Sequence, residues 1–377
     1  NKSSRNLYLP EGAPEGAIGI FNSNIVVLRK FKEALSAKVF HSKAAFRLES
    51  GQVLPELHIA YHTYGTMNED GSNVIWVCHA LTANSDVADW WTGLIGDGRV
   101  IDPSRHFIVC ANILGSCYGS SGPHTVNPET GSPWYRQFPA ITIRDMVQAH
   151  MLLRHHLRIP QIRLLIGGSM GGYQALEWAL MEPEVIGRLF LLCTGAAESA
   201  WGIAIHTAQR LAIEADDTWQ DNSPGAGAKG LKAARAIGML TYRNYQTFVR
   251  AQSDEDKEKT DNFRASSYIN YQGDKLVKRF NAQSYWLLSK AMDSHNIARG
   301  RHENITTTLS HIHPPTLLIG ISSDILCPPE EQQFMAAHLP NATYHEIDST
   351  YGHDGFLIEF EKIGNILRGW METTVNC

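Results

Sequence analysis

Gly167-Gly168-Ser169-Met170-Gly171-Gly172 fits the pattern G-x-S-x-G and stands between an apolar run, Leu164-Leu165-Ile166, and a helix-forming stretch that ends at Pro183. A serine on a sharp strand-to-helix turn is held in a strained backbone conformation, so the residues two before and two after it must be small. Gly167 and Gly171 meet that need. Such a turn would leave the Ser169 hydroxyl above the C-terminal edge of its strand and aim the next backbone N–H, that of Met170, at a reacting carbonyl.

A serine hydroxyl is a weak nucleophile without a base and a group to orient that base. The chain offers both in the order Ser, Asp, His. Asp324 follows the apolar run Thr316 to Ile321, and His353 follows another strand-like stretch, Tyr344 to Ile347. Both therefore fall at the sheet edge where Ser169 is expected. A second donor for a developing oxyanion should come from the loop after an earlier strand, and the backbone N–H of Leu81, in Cys78-His79-Ala80-Leu81-Thr82, occupies that place. His79 reads as a structural histidine fixing this loop. His155-His156 and His311-Ile312-His313 lack a carboxylate or cysteine at ligand spacing, so no metal is expected there. No G-K-[ST] follows a glycine loop, which removes a phosphate-binding P-loop.

These groups need strands and helices to position them. Val74–Cys78, Phe107–Cys110, Leu164–Ile166, Leu189–Cys193 and Thr316–Ile321 are apolar on both faces, as strands of a helix-covered parallel sheet are. Glu56 to Tyr64 reads as a partly exposed strand. Ile143 to Arg158 reads as a helix with Thr142 as N-cap, Asp145 three residues later approximating a capping box, and Met146, Ala149, Leu152, Leu153 and Leu157 on one face. Alternating strands and helices predict an α/β doubly wound architecture. From 195 to 300 the strand-like runs disappear and helix-like segments take over, so residues 1–194 and 301–377 are expected to form the core domain and 195–300 a helical insertion. The charge run Asp254 to Lys259 within it reads as a solvated turn.

With 33 Lys+Arg against 38 Asp+Glu, a net charge of -5 and no long basic block, nucleic acid is not an expected partner. Apolar stretches of near-spanning length are interrupted, so no membrane partner is expected either. Asn1-Lys2-Ser3-Ser4-Arg5 lacks the apolar core of a signal peptide. The 6 cysteines are scattered without a C-x-x-C pair, which points to a reducing, cytoplasmic setting rather than a disulfide framework.

Taken together the residues resemble the homoserine O-acetyltransferases of the α/β-hydrolase superfamily. The resemblance runs from about Phe46 to Glu359 and includes His79-Ala80-Leu81-Thr82, Gly115 to Pro123, Phe138 to Met146, Gly167 to Trp178, Tyr268 to Phe280, and the segments around Asp324 and His353. It implies an α/β-hydrolase fold with a mostly parallel central sheet flanked by helices, and 195–300 as a lid. It further implies that acetyl-CoA, a co-substrate rather than a bound cofactor, acylates Ser169, and that the acetyl group then passes to the hydroxyl of L-homoserine in methionine biosynthesis. His353 would act as base and acid, Asp324 would orient it, and the N–H groups of Leu81 and Met170 would hold the oxyanion. The family's carboxylate-binding arginine falls on Arg235 and its amino-group ligand on Asp354. A homodimer is also implied. The chain departs from the family pattern at Gly238-Met239-Leu240-Thr241-Tyr242 and at Thr82-Ala83-Asn84-Ser85-Asp86. Transfer from succinyl-CoA, transfer to serine, and hydrolysis use the same triad and stand as alternatives.

Overall fold

The computed structural model describes residues 36–373. Eight strands form one sheet: β1 (Lys38–Ser42), β2 (Leu57–Tyr64), β3 (Val74–Cys78), β4 (Phe107–Ala111), β5 (Leu164–Gly168), β6 (Leu189–Leu192), β7 (Thr316–Ile321) and β8 (Ala342–Ile347). Their order across the sheet is β1-β2-β4-β3-β5-β6-β7-β8. From β4 to β8 every pairing is parallel, while β2 runs antiparallel to both β1 and β4. The sheet is therefore mostly parallel with an antiparallel edge.

β3, β5, β6 and β7 are buried along their whole length, because helices cover both faces. β2 is more enclosed than its polar residues suggest: only His58 and His62 are half-buried, since β1, which carries no strong sequence signal, covers its other edge. Helix α1 (Ile143–His156) starts at a true capping box, in which Thr142 Oγ1 accepts from Asp145 N and Asp145 Oδ2 accepts from Thr142 N. Its buried face is Met146, Val147, Ala149, His150 and Leu153. Leu152 is exposed instead, because at 100° per residue it falls away from the stripe that Met146, Ala149 and Leu153 share. Helix α2 (Met170–Met181) follows β5 directly.

Between β6 and β7 the chain forms helices α3 (Ala200–Glu214), α4 (Ala228–Tyr242), α5 (Tyr245–Gln252), α6 (Arg264–Val277) and α7 (Ala282–Asp293). Ser199, Asn244 and Asn281 cap three of them by accepting backbone N–H bonds. The charge run at 254–259 lies between α5 and α6, where Asp254 pairs with Lys259 at 2.5 Å and accepts from Arg264 N at 3.0 Å. It is a turn clipped onto itself. Helix α8 (Pro329–His338) joins β7 to β8, and helix α9 (Phe360–Thr373) follows the last loop.

The return from α7 to the core is held by charge. Glu177, on α2 and 1% exposed, receives Arg144 Nε of α1 at 3.1 Å and Arg301 Nη2 at 2.7 Å. Glu49 takes Arg144 and Arg299 on its other side, and although burial opposes it, these partners hold its pKa down at about 2. Glu177→Ala leaves two arginines without their buried partner and is expected to lower unfolding free energy by roughly 3 kcal/mol, the low end for a broken buried pair because both arginines are part-exposed. Urea denaturation of the variant checks this value.

Candidate active site

Ser169 sits at the β5–α2 junction with φ 53° and ψ −129°, a conformation most L-residues avoid. The strain, about 1–3 kcal/mol by type, is held by three backbone ties. Ser169 N donates to Leu192 O at 2.9 Å, and Ser169 O accepts from Gly172 N and Thr194 Oγ1, both at 2.8 Å. The glycines around it are steric necessities. A Cβ on Gly167 would lie 2.1 Å from Gly171 O, and one on Gly171 would lie 2.1 Å from Cys78 O at the end of β3.

His353 lies on a single turn after β8, and its Nε2 is 2.9 Å from Ser169 Oγ. Its Nδ1 is 2.7 Å from Asp324 Oδ2. Asp324 follows β7, is buried, and has its other oxygen occupied by the N–H groups of Leu326 at 2.8 Å and Cys327 at 2.9 Å. One hydrogen-bonded line thus runs from hydroxyl to imidazole to carboxylate. Burial of His353 would lower its pKa, but the Asp324 charge and hydrogen bond outweigh that and raise it above the ordinary histidine value. Glu331 on α8 is pushed up to about 7 by burial and by the charges of Glu198 and Asp324, so it adds less than a full negative charge beside the pair at neutral pH.

Leu81 stands on the loop after β3, close to the elbow that packs on Cys78. That loop is fixed from both sides. His79, kept neutral by a burial-lowered pKa of about 4, bonds Ala80 O at 2.8 Å through Nδ1 and accepts Ile113 N at 3.2 Å through Nε2. Arg279, at the end of α6, donates to Thr82 O and reaches Tyr118 Oη at 2.7 Å. Among the described residues, neither Leu81 N–H nor Met170 N–H donates to a protein acceptor.

Arg235 and Asp354 come to the same corner. The Arg235 guanidinium carbon lies 5.4 Å from the centre of the Tyr242 ring, which in turn lies 5.9 Å from the His353 ring. Arg235 Nε is buried without a hydrogen-bond partner, an arrangement that calls for an acceptor. Asp354 faces Arg243, with 3.2 Å between Oδ2 and Nε. Burial raises the Asp354 pKa, against the pull of Arg243, His353 and Arg235. Gly352, at φ +65°, allows this approach, since a Cβ there would lie 2.6 Å from Tyr242 O.

Arg243, Tyr242 and Glu331 escape sequence reasoning. Tyr242 had a signal: it stands seven residues after Arg235, two turns along one helix face. Arg243 and Glu331 are surface-type charges whose partners come from distant segments. The two histidine pairs weighed for metal stay apart from any three-ligand group; the described residues bring one such group together, and it lies elsewhere.

Serine on a strained strand-to-helix turn, with Asp and His from the next loops of a mostly parallel sheet, is the arrangement of the α/β-hydrolase fold, and the sequence model of that fold family matches residues 73–360. A homoserine O-acetyltransferase from Cyclobacterium marinum is 48% identical over 89% of this chain and 95% of its own. The chain belongs to the homoserine O-acetyltransferase family. Its fold superposes on a Bacillus anthracis homoserine O-acetyltransferase with a TM-score of 0.82, at 24% identity over 89% of this chain and 96% of the other. Esterase E22 superposes almost as well, with a TM-score of 0.80 at 23% identity over 89% of this chain and 99% of that one. The scaffold alone therefore does not separate transfer from hydrolysis.

The geometry fixes how the histidine titrates. In Asp324→Asn the carboxylate charge is lost while the burial remains, so the His353 pKa is expected to fall from above the ordinary value to below it. Imidazole NMR titration of the two proteins reads the direction; an unchanged His353 pKa would contradict the coupling.

Proposed function

We propose that this protein transfers an acetyl group from acetyl-CoA to the hydroxyl of L-homoserine through an acyl-enzyme on Ser169. The observation that carries the reading is the line from Ser169 Oγ through His353 to Asp324, with contacts of 2.9 and 2.7 Å. Ser169 Oγ attacks the thioester carbonyl as His353 Nε2 takes its proton. The N–H groups of Leu81 and Met170 hold the resulting oxyanion, and its collapse expels the CoA sulfur, which receives the proton from His353. The homoserine hydroxyl then attacks the acyl carbon, gives its proton to His353, and collapse returns that proton to Ser169 with release of the ester. Asp324 holds the imidazole in one tautomer and stabilises its cation.

Homoserine carries a carboxylate and an ammonium, so a selective pocket needs one fixed cation and one fixed anion. The Arg235 guanidinium, whose Nε lacks an acceptor, suits the first and Asp354 the second. Arg243 shares the Asp354 carboxylate and sets its position toward the substrate. The helical insertion that carries Arg235 serves as the lid that keeps water from the acyl-enzyme. Leu211, Leu240 and Tyr245 on that insertion are more than half exposed, which supports pairing of two copies through it. The free thiols of Cys78, Cys110, Cys117, Cys193 and Cys327 suit a reducing cytoplasmic setting.

Thiol release from acetyl-CoA with and without L-homoserine, read alongside mass detection of O-acetylhomoserine, tests the reaction. Homoserine-dependent release with that product is expected, and acetate release indifferent to homoserine would move the assignment to hydrolysis. Ser169→Ala is expected to cut turnover by ~10⁴-fold or more. Arg235→Ala should leave acylation of Ser169 measurable while impairing homoserine use by ~10²-fold, the scale of a lost charge-assisted pair of about 3 kcal/mol; equal loss of both half-reactions in a folded variant would remove Arg235 from the acceptor site. Sedimentation as a monomer at micromolar concentration would exclude the dimer.

A further inference from the structure

At the antiparallel edge of the sheet, three side chains that acyl transfer does not use converge on one face. His41 of β1 and His58 of β2 stand directly opposite each other in register. Their imidazoles stack with centroids 4.1 Å apart and planes 19° from parallel. Glu56, two residues before His58 and so on the same face of the strand direction, brings Oε2 to 2.8 Å from His41 Nε2. One ligand-capable atom of each residue lies within 4.8 Å of the other two.

We propose that His41, His58 and Glu56 form a binding site for a divalent first-row transition ion, Zn²⁺ in the first instance. Two imidazoles and one carboxylate are the donors that suit Zn²⁺, Ni²⁺ or Cu²⁺ and not the all-oxygen shells of Mg²⁺ or Ca²⁺. Ligand distances of about 2.0–2.2 Å require donor atoms roughly 3.4 Å apart, so rotations of the half-exposed His41 and Glu56 side chains close the remaining gap without moving the backbone. The ion takes the His41 Nε2 lone pair in place of the contact with Glu56, and the neutral imidazole carries its one proton on Nδ1. Beside these donors, Glu56 and His58, with Ser121 and Thr125, line a cavity of about 10 Å³, about the space of one water. Because β1 pairs with β2 alone among the described residues, an ion held from both strands pins this strand to the sheet.

Calorimetric titration of the chelator-treated full chain with Zn²⁺ tests the site. One equivalent per chain is expected, with loss of that binding in the double variant His41→Asn/His58→Asn and at least ~10-fold weaker binding in Glu56→Gln. Zn²⁺ should raise the thermal midpoint of the parent and not that of the double variant, and Co²⁺ should give visible d–d absorption that disappears with the histidines. Retained acyl transfer by the metal-free double variant shows that it is folded; if it is not, Glu56→Gln and the single His41→Asn carry the test. Undiminished stoichiometry in these variants, or no saturable binding of Zn²⁺ or Co²⁺ by the parent, would overturn the proposal.

Discussion

The positive φ of Ser169 governs the rest of the site. A side chain can be held in that conformation only if the chain on either side comes unusually close to its neighbours. Gly167 lies against Gly171, and Gly171 lies against the last carbonyl of β3. That second contact presses the start of α2 onto the loop bearing Leu81, so one steric condition sets both the hydroxyl and the two N–H groups that could receive an oxyanion. The hydrogen bonds from Ser169 to Leu192 and Thr194 then tie the turn to β6, and the strain is carried by the sheet rather than by the loop.

Around this turn the buried charges are arranged so that few stand alone. Asp324 spends one oxygen on two backbone N–H groups and the other on His353, so the carboxylate is fixed in place before the imidazole meets it. Glu177 and Glu49 collect three arginines where the insertion rejoins the core. The Nε of Arg235, close to the Tyr242 ring, is buried without an acceptor, as are those of Arg154 and Arg163.

Segment 195–300 and the rest of the described chain also meet through small, specific contacts. Arg279, just past the end of α6, braces Thr82 and Tyr118, so the loop after β3 is held from a segment far along the chain. Gly352 lets the end of α4 approach the histidine loop.

Periodicity and motif spacing by themselves were enough to determine the buried parallel strands, the capped helix at Ile143, the helical character of 195–300 and the Gly167–Gly172 turn, because each depends on neighbours within a few residues. The order of Ser169, Asp324 and His353 was also legible, since strand ends in such a sheet converge on one edge. The tertiary structure alone decided that β1 covers β2, that Leu152 faces out, that Arg243 lies against Asp354, and that His41, His58 and Glu56 meet. Each of these is set by which surface a distant segment brings to bear, and a charged or polar residue carries no local record of the partner that folding will place against it.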